Sequence, residues 1–220
     1  MILSPQQRSK LDESSDTFFY GQPRFVTHVD EGFIDQLTQL YGQRLQPNSR
    51  VLDLMSSWIS HLPADLPLAE VVGHGLNPEE LARNPRLDRA FVQNLNVNPQ
   101  LPLEDGSFDA VLMAVSVQYL QQAETVFGEM RRVLAPGGLA IVSFSNRMFP
   151  QKAIAAWRDG SEADRVNLVC RYFQATPGFQ APEVISQPSQ VPLFLQLMGF
   201  GGGDPFYAII AQVDTADDRS

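Results

Sequence analysis

The chain has 220 residues, a length that suits one α/β domain with additions, and it contains a single cysteine. One cysteine excludes an internal disulfide and a multi-cysteine metal site, and we expect no bound metal. The formal net charge of −9 disfavours nucleic acid as a partner, because binding to phosphates needs a basic surface. The sequence has no apolar run of roughly 18 residues and no apolar core of a signal peptide near its start, so we expect a cytoplasmic protein without a membrane partner.

Alternating strands and helices are predicted along the first half of the chain, after a polar segment, 1–16, that is expected to be loose. Asn77 and Pro78 have the residue types that begin a helix, an N-cap followed by proline at the first helical position. The predicted elements are a helix at 33–45, a strand at 50–54, a short helix at 58–62, a strand at 70–76, a helix at 77–85 and a strand at 89–95.

The second half continues the alternation, with a continuous apolar strand at 108–115 that is typical of a sheet covered on both faces. The other predicted elements are a helix at 121–134 that 135–138 stops, a strand at 139–145, helices at 150–158 and 161–173, and strands at 181–187 and 205–213. Residues 199–204 are expected to form a mobile connection, and 214–220 a disordered tail.

This alternation indicates an α/β three-layer sandwich whose seven-stranded sheet is mostly parallel. The last strand, 205–213, is predicted to be antiparallel beside the fifth, because the residues before it are poor material for the helix that a parallel crossover needs. We expect one domain, made of an amino-terminal lid or helical segment (1–47), a central core (48–147) and a carboxyl-terminal half (148–213).

Two motifs in residues 101–146, LPLEDGSFDAVLMAVSVQYLQQAETVFGEMRRVLAPGGLAIVSFSN, carry a family resemblance. L-P-x-x-D-x-S-F-D before an apolar strand and R-V-L-x-P-G-G before the next one resemble the type 11 subgroup of class I S-adenosylmethionine-dependent methyltransferases. The resemblance covers residues 48–147 and implies a Rossmann-like fold that binds S-adenosyl-L-methionine as methyl donor. The stretch VLDLMSSWISHLP, 51–63, is similar to a branch of the family in which the glycine-rich loop is replaced.

The first strand and its loop correspond to the family's site for the methionine end of the cofactor. Asp53 matches an acidic position that helps to hold the cofactor's amino group, although it could instead accept turn N–H groups. Met55, Ser56 and Ser57 replace glycines, which give positive φ angles and close backbone approach without strain. The serines could hold the cofactor's carboxylate, or they could merely cap the predicted short helix while Met55 packs inward.

Two further positions depart from the family pattern for the nucleoside end. Gly75 stands where the family has an acidic residue on the ribose; Asn77 could bind the ribose instead or act only as an N-cap. Asn94 replaces an aspartate that accepts from the adenine amine, with Leu95 beside the base. The residues expected to bind the cofactor are Asp53, Met55, Ser56, Ser57, Gly75, Leu76, Asn77, Asn94, Leu95, Val115 and Ser116.

The acceptor site is predicted under residues 16–33, DTFFYGQPRFVTHVDEGF, which are dense in aromatic side chains. Tyr20 is expected to wall the pocket, Arg24 to face an anionic group and His28 to act as a weak candidate base. The alternative is that the phenylalanines of this segment fill the core. If all three residues point away from the cleft, the acceptor site must instead lie near 146–157.

The function predicted from these residues is that of a methyltransferase for a small-molecule acceptor. The departures at 55–57, 75 and 94 predict weak cofactor binding and motivate the alternative of a non-catalytic binding or regulatory protein with a lapsed site. A dehydrogenase is disfavoured because G-x-G-x-x-G is absent after the first strand. The spacing of Asp53, Ser57 and His61 suggests a hydrolase triad, but Trp58 does not fit a nucleophile elbow.

Overall fold

The computed structural model describes residues 2–187 and 203–215, and these residues form a seven-stranded sheet with seven helices around it. The helices are α1 (Pro5–Arg8), α2 (Asp16–Phe19), α3 (Glu31–Arg44), α4 (Pro78–Arg83), α5 (Ala123–Val133), α6 (Ala155–Arg158) and α7 (Glu162–Gln174). The strands are β1 (Arg50–Asp53), β2 (Glu70–Gly75), β3 (Arg89–Val92), β4 (Phe108–Ala114), β5 (Leu134–Phe144), β6 (Glu183–Gln187) and β7 (Phe206–Gln212). The α/β class and the strand count predicted from the sequence are confirmed.

The sheet has the strand order β3-β2-β1-β4-β5-β7-β6. Strands β1 to β5 pair in parallel, while β7 lies antiparallel between β5 and β6. The prediction of an antiparallel last strand beside the fifth is therefore confirmed. The order reverses at β1 and β4, and ligands of open α/β sheets bind beyond the carboxyl ends of strands at such a point.

The sheet is apolar on both faces, and each face has its own core. Along β5, Val142 and Phe144 contribute to a core under α5, α6 and α7, while Ile141 contributes to a second core under α3. This alternation follows from the two-residue period of a strand. Both cores cover the inner strands, which explains the continuous apolar runs in the sequence.

Side-chain caps fix the starts of α3, α4 and α7, as one also does at α1. Asp30 Oδ1 accepts from the Phe33 N–H before α3, and the Asn77 carboxamide oxygen accepts from two N–H groups of α4. Ser161 and Asp164 form a reciprocal capping box at α7. The cap at Asn77 was predicted from residue type alone.

The helix predicted at 58–62 does not form. His61 adopts a positive φ of 54°, and Asn84 Nδ2 binds the Ser60 hydroxyl at 2.8 Å. A left-handed residue is incompatible with a regular right-handed helix, and the contact from Asn84 holds Ser60 in the loop. The alternative in which Ser56 and Ser57 merely cap this helix is therefore excluded.

The prediction of a loose amino terminus is also wrong. Residues Pro5–Arg8 form a short helix with a capping box at Ser4, and Leu3 is buried in the core. Arg8 forms an ion pair with Glu124 of α5. A tertiary ion pair and a buried leucine hold this segment, and neither produces a periodic signal in a polar sequence.

Other predicted boundaries shift where strand pairing decides the conformation. Residues 134–138 belong to β5, because Leu134 pairs with Phe108 across a bulge before the regular ladder begins. The helix expected at 150–158 is reduced to α6, and the strand expected at 89–95 ends at Val92.

Several expectations lie outside the described residues. The predicted mobile connection at 199–204 falls mostly there, as does the tail beyond Thr215. Among the described helices, none combines the length and the apolarity that crossing a membrane requires.

Candidate functional site

A cavity of about 280 Å³ opens at the carboxyl ends of β1, β2, β3 and β4. All fourteen site residues expected from the sequence line it: three from the 16–33 segment and eleven at the strand ends. The volume is close to the lower end of the range that small-molecule sites occupy, roughly 300–1,000 Å³. Parallel strands bring their carboxyl ends to one edge, which is why residues 20 to 116 meet here.

The loop after β1 is held tightly against the end of β2. The Met55 N–H donates to His74 Nδ1 at 3.1 Å, and the Ser56 N–H donates to the His74 carbonyl oxygen at 2.6 Å. Met55 takes the left-handed conformation, with φ of 58°, that glycine usually supplies. The loop therefore has the backbone turn of a glycine loop but carries a side chain that packs against the core.

Gly75 has no room for the acidic residue that the family resemblance implies. A Cβ atom on Gly75 would lie 2.6 Å from the backbone oxygen of Ser56 and 3.2 Å from Leu81 Cδ2. The loop after β1 can approach the end of β2 this closely only because position 75 is a glycine. Ser56 occupies the space that an acidic side chain at position 75 would need.

Asp53 is a buried carboxylate at the end of β1, with 3% of its surface exposed. Its Oδ2 accepts from the Ser56 hydroxyl at 2.5 Å, and none of the ion pairs in the described part of the chain includes it. Burial raises the pKa of Asp53 to about 6, against the lowering effect of hydrogen bonds from Ser56 and Ser60. A buried carboxylate without a cation is a site where a ligand's ammonium group would be stabilised.

His74 and Asn84 support this loop, and sequence reasoning missed both roles. Burial lowers the pKa of His74 to about 4, so its ring is neutral, accepts at Nδ1 and donates from Nε2 to the Gln93 carbonyl oxygen. Asn84 Nδ2 donates to the Ser57 carbonyl oxygen at 3.0 Å and to the Ser60 hydroxyl. These contacts join residues 19 to 27 positions apart, and no local sequence pattern marks them.

Asn77 has no hydrogen-bonding capacity left for a ribose. Its oxygen caps α4, and its Nδ2 donates to the carbonyl oxygens of Tyr20 and Gly21. Of the two alternatives for this residue, the N-cap is therefore the one observed. The side-chain oxygen of Asn94 accepts from the Asn96 N–H at 2.9 Å, so the acceptor proposed for adenine is already engaged.

The 16–33 segment covers the cavity with aromatic rings. The Tyr20 ring lies 6.2 Å from the Tyr119 ring and 6.3 Å from the Phe149 ring, and the His28 ring packs edge-on to Phe149 at 5.2 Å. Trp58 Nε1 donates to the Val26 carbonyl oxygen, which ties the loop after β1 to this segment. Tyr20 and His28 thus face the cleft. Of the phenylalanines that the alternative placed in the core, Phe33 is fully buried there, whereas Phe18 is 83% exposed.

A buried ionic cluster anchors α2 beneath the cavity. Lys10 Nζ lies 2.8 Å from Asp16 Oδ2, and Lys152 Nζ lies 3.0 Å from Asp12 and 3.6 Å from Asp16. Asn96 Nδ2 also donates to Asp16 at 2.9 Å. The Asp16 carboxylate thus contacts Lys10, Lys152 and Asn96 from three parts of the chain. These contacts fix the position of α2 and of the aromatic side chains that follow it over the cavity.

The turn after β4 is strained where it faces the cavity. Val115 has a φ of 49°, which is a genuine outlier for a β-branched residue. The hydroxyl of Ser116 is buried without a hydrogen-bond partner in the described part of the chain. Strained backbone and unpaired polar atoms concentrate at ligand sites, because ligands or neighbouring structure offset their cost there.

The hydrolase arrangement is not assembled. Asp53 binds the hydroxyl of Ser56 rather than that of Ser57, and His61 Nδ1 has no partner within the described residues. Within those residues, no three His, Cys, Asp or Glu side chains are grouped closely enough to hold a metal ion.

Comparison with known proteins defines the class to which this fold and cleft belong. Residues 55–142 match the family model described as a methyltransferase domain. The demethylmenaquinone methyltransferase of Thermus thermophilus is 40% identical over 82 residues, 34% of this chain and 36% of that protein. An uncharacterised protein of Mycobacterium tuberculosis is 32% identical over 120 residues, 51% of this chain and 43% of that protein. The matched part thus spans less than half the length of either relative.

Solved structures agree on the fold. The [4+2]-cyclase SpnF superposes with a TM-score of 0.56 at 18% identity, over 82% of this chain and 81% of that one. A phosphoethanolamine N-methyltransferase of Haemonchus contortus, solved with S-adenosyl-L-methionine, superposes with a TM-score of 0.56 at 14% identity, over 84% of this chain and 53% of that one. The chain thus has the fold of class I S-adenosylmethionine-dependent methyltransferases, and its residues 55–142 match a methyltransferase domain.

Proposed function

We propose that this protein is an S-adenosylmethionine-dependent methyltransferase that acts on a small-molecule acceptor. The observation that carries the proposal is the cavity at the carboxyl ends of the parallel strands, with the unpaired carboxylate of Asp53 on its wall. The fold alone would not select a chemistry, since related folds serve several functions. The match of residues 55–142 to a methyltransferase domain supports this one.

The cavity fits S-adenosylmethionine, which supplies an activated methyl group when it is bound. Asp53 would hold its amino group, because a cation beside the carboxylate offsets the cost of burying that charge. Ser56 and Ser57 would face its carboxylate, while Leu76 and Leu95 would pack against its adenine. The other expected contacts are Met55, Gly75, Asn94, Val115 and Ser116.

Glu80 is our candidate for the ribose hydroxyls in place of the missing acidic residue. It lies in the first turn of α4 and lines the cavity, and its Oε1 already accepts from the Arg24 N–H at 2.7 Å. A carboxylate accepts more hydrogen bonds than this one contact uses. Because Gly75 cannot carry a side chain and Asn77 is fully engaged, Glu80 is the acidic group left at this end of the cavity.

The acceptor would enter on the side covered by the 16–33 segment. His28 would take up a proton there, because desolvation and the nearby charge of Arg24 lower its pKa, against the effect of Glu80, and favour the neutral ring. Tyr20 would wall the site and exclude water. Arg24 would favour an acceptor that carries a negative charge.

Isothermal titration with S-adenosylhomocysteine and S-adenosylmethionine tests the proposal. The wild type should bind both, and Asp53→Asn should bind at least tenfold more weakly, because its amide cannot pair with the ligand's ammonium group. Asp35→Asn, which removes the same charge from an exposed position on α3, should bind as the wild type does. If the wild type binds neither ligand, the non-catalytic alternative with a lapsed site is correct.

A further inference from the structure

We infer that the acceptor side of the cavity is built for a planar aromatic compound that carries a carboxylate, with Arg24 as the residue that selects the charge. This inference rests on the proposed function for its role in catalysis, but the binding site that it describes does not depend on methyl transfer.

The Arg24 guanidinium is enclosed by aromatic rings and has no counter-ion in the part of the chain that the structure describes. Its Cζ lies 4.8 Å from the centre of the Phe19 ring, 5.7 Å from that of Tyr20 and 5.5 Å from that of Phe149. Nη2 donates to the Phe19 carbonyl oxygen, whereas Nη1 is buried with no hydrogen-bond partner among residues 2–187 and 203–215. Leaving a charged donor unpaired costs more than leaving a neutral one, so this Nη1 is suited to an anionic partner.

The groups around Arg24 do not neutralise it. Asp16 is paired with Lys10 and Lys152, and Arg147, the other arginine of the cavity, is paired with Asp204. Glu80 accepts from the backbone N–H of Arg24, but no ion pair joins the two side chains in the described part of the chain. The protein has more carboxylates than basic residues, with a net charge of −9, and yet none of those that the structure describes pairs with Arg24. Arg24 can therefore pair with an anionic ligand.

The walls of the same space favour a flat ring. Tyr119 and Phe149 have ring centres 6.2 Å apart, and Tyr20 meets both of them edge-on. The Tyr20 hydroxyl is also buried without a partner in the described residues. Aromatic pairs gain energy beyond the area they bury when a ring approaches at offset or edge-on geometry. A ring packed against the side of these walls that faces the cavity would place its carboxylate toward Arg24, where guanidinium and carboxylate geometries match.

Binding of 4-hydroxybenzoate and of its neutral isostere 4-hydroxybenzamide tests this inference by calorimetry, with and without S-adenosylhomocysteine. The wild type should bind the carboxylate at least tenfold more tightly than the amide. Arg24→Gln should reduce that preference to within about twofold, and Arg24→Lys should restore part of it. Arg83→Gln is the matched control, because Arg83 stacks on Phe25 outside the cavity lining, and it should keep the full preference.

The comparison of the two ligands on the wild type does not depend on any variant. The test therefore remains valid if a variant fails to fold. The inference is overturned if the wild type binds neither compound at millimolar concentration, if it does not prefer the carboxylate, or if folded Arg24→Gln retains the preference. If the wild type prefers the carboxylate but does not bind S-adenosylhomocysteine, the proposed function is contradicted while the inferred binding site is supported.

Discussion

Adding one methyl group at Gly75 should destabilise the protein through the loop after β1. In Gly75→Ala, the new Cβ would meet the Ser56 carbonyl oxygen at 2.6 Å, and the contact is with backbone rather than with a flexible side chain. Overpacking of this kind costs about 1–3 kcal/mol, and the lower entropy of the unfolded alanine chain offsets about 0.4–1 kcal/mol of it. We expect a net loss of roughly 1–2 kcal/mol, which lowers the melting temperature by roughly 2–8 °C in a chain of this size.

Differential scanning calorimetry measures this loss, and S-adenosylhomocysteine titration follows its effect on the cavity. Gly128→Ala is the control, because no atom lies within 4 Å of its added Cβ on α5, and it should be stabilised by about 0.4–1 kcal/mol. Gly75→Asp, which restores the acidic residue of the family pattern, should also fail to improve binding. A Gly75→Ala protein as stable as the wild type would refute the coupling between the loop and position 75.

Three further changes test the other parts of the site. Burial raises the pKa of Asp53 to about 6 from its ordinary 3.8, and this shift stabilises the folded state below pH 4, an effect that is lost as pH rises through 6. The unfolding free energy of Asp53→Asn minus that of the wild type should therefore fall by about 2.4 kcal/mol from pH 7 to pH 4, and no change in urea titrations would contradict this. Lys152→Met should cost about 3–5 kcal/mol in urea unfolding, because it leaves buried Asp16 short of a partner, whereas Arg89→Met in the exposed pair with Glu70 should cost less than about 1 kcal/mol. Ser57→Gly should retain cofactor binding within tenfold, and a hundredfold loss, about 2.7 kcal/mol, would show that its hydroxyl is required.

The sequence predicted the fold well because local patterns decide it. The apolar run at 108–115 and the amphipathic helix after it identify a covered parallel sheet, and the absence of helix-forming residues before 205 predicted the antiparallel strand. The residues of the cleft could be named for a similar reason. Once the strands are parallel, the residues after each strand must meet at one edge of the sheet.

The remaining features depend on contacts between distant residues. The neutral ring of His74 that holds Met55 and the carboxamide of Asn84 that holds Ser57 follow from packing, not from spacing in the sequence. The helix expected at 58–62 failed because these contacts decide the loop. The positive φ of Val115 could not be predicted either, since propensity argues against a β-branched residue there.

A crystal structure of the protein with S-adenosylhomocysteine tests the central claim most directly. We expect electron density for the ligand beside residues 53–58, with its amino group within hydrogen-bonding distance of the Asp53 carboxylate and its ribose beside Glu80. Density that places the ligand outside this cavity, or an empty cavity at a ligand concentration that saturates the protein in titration, would contradict it.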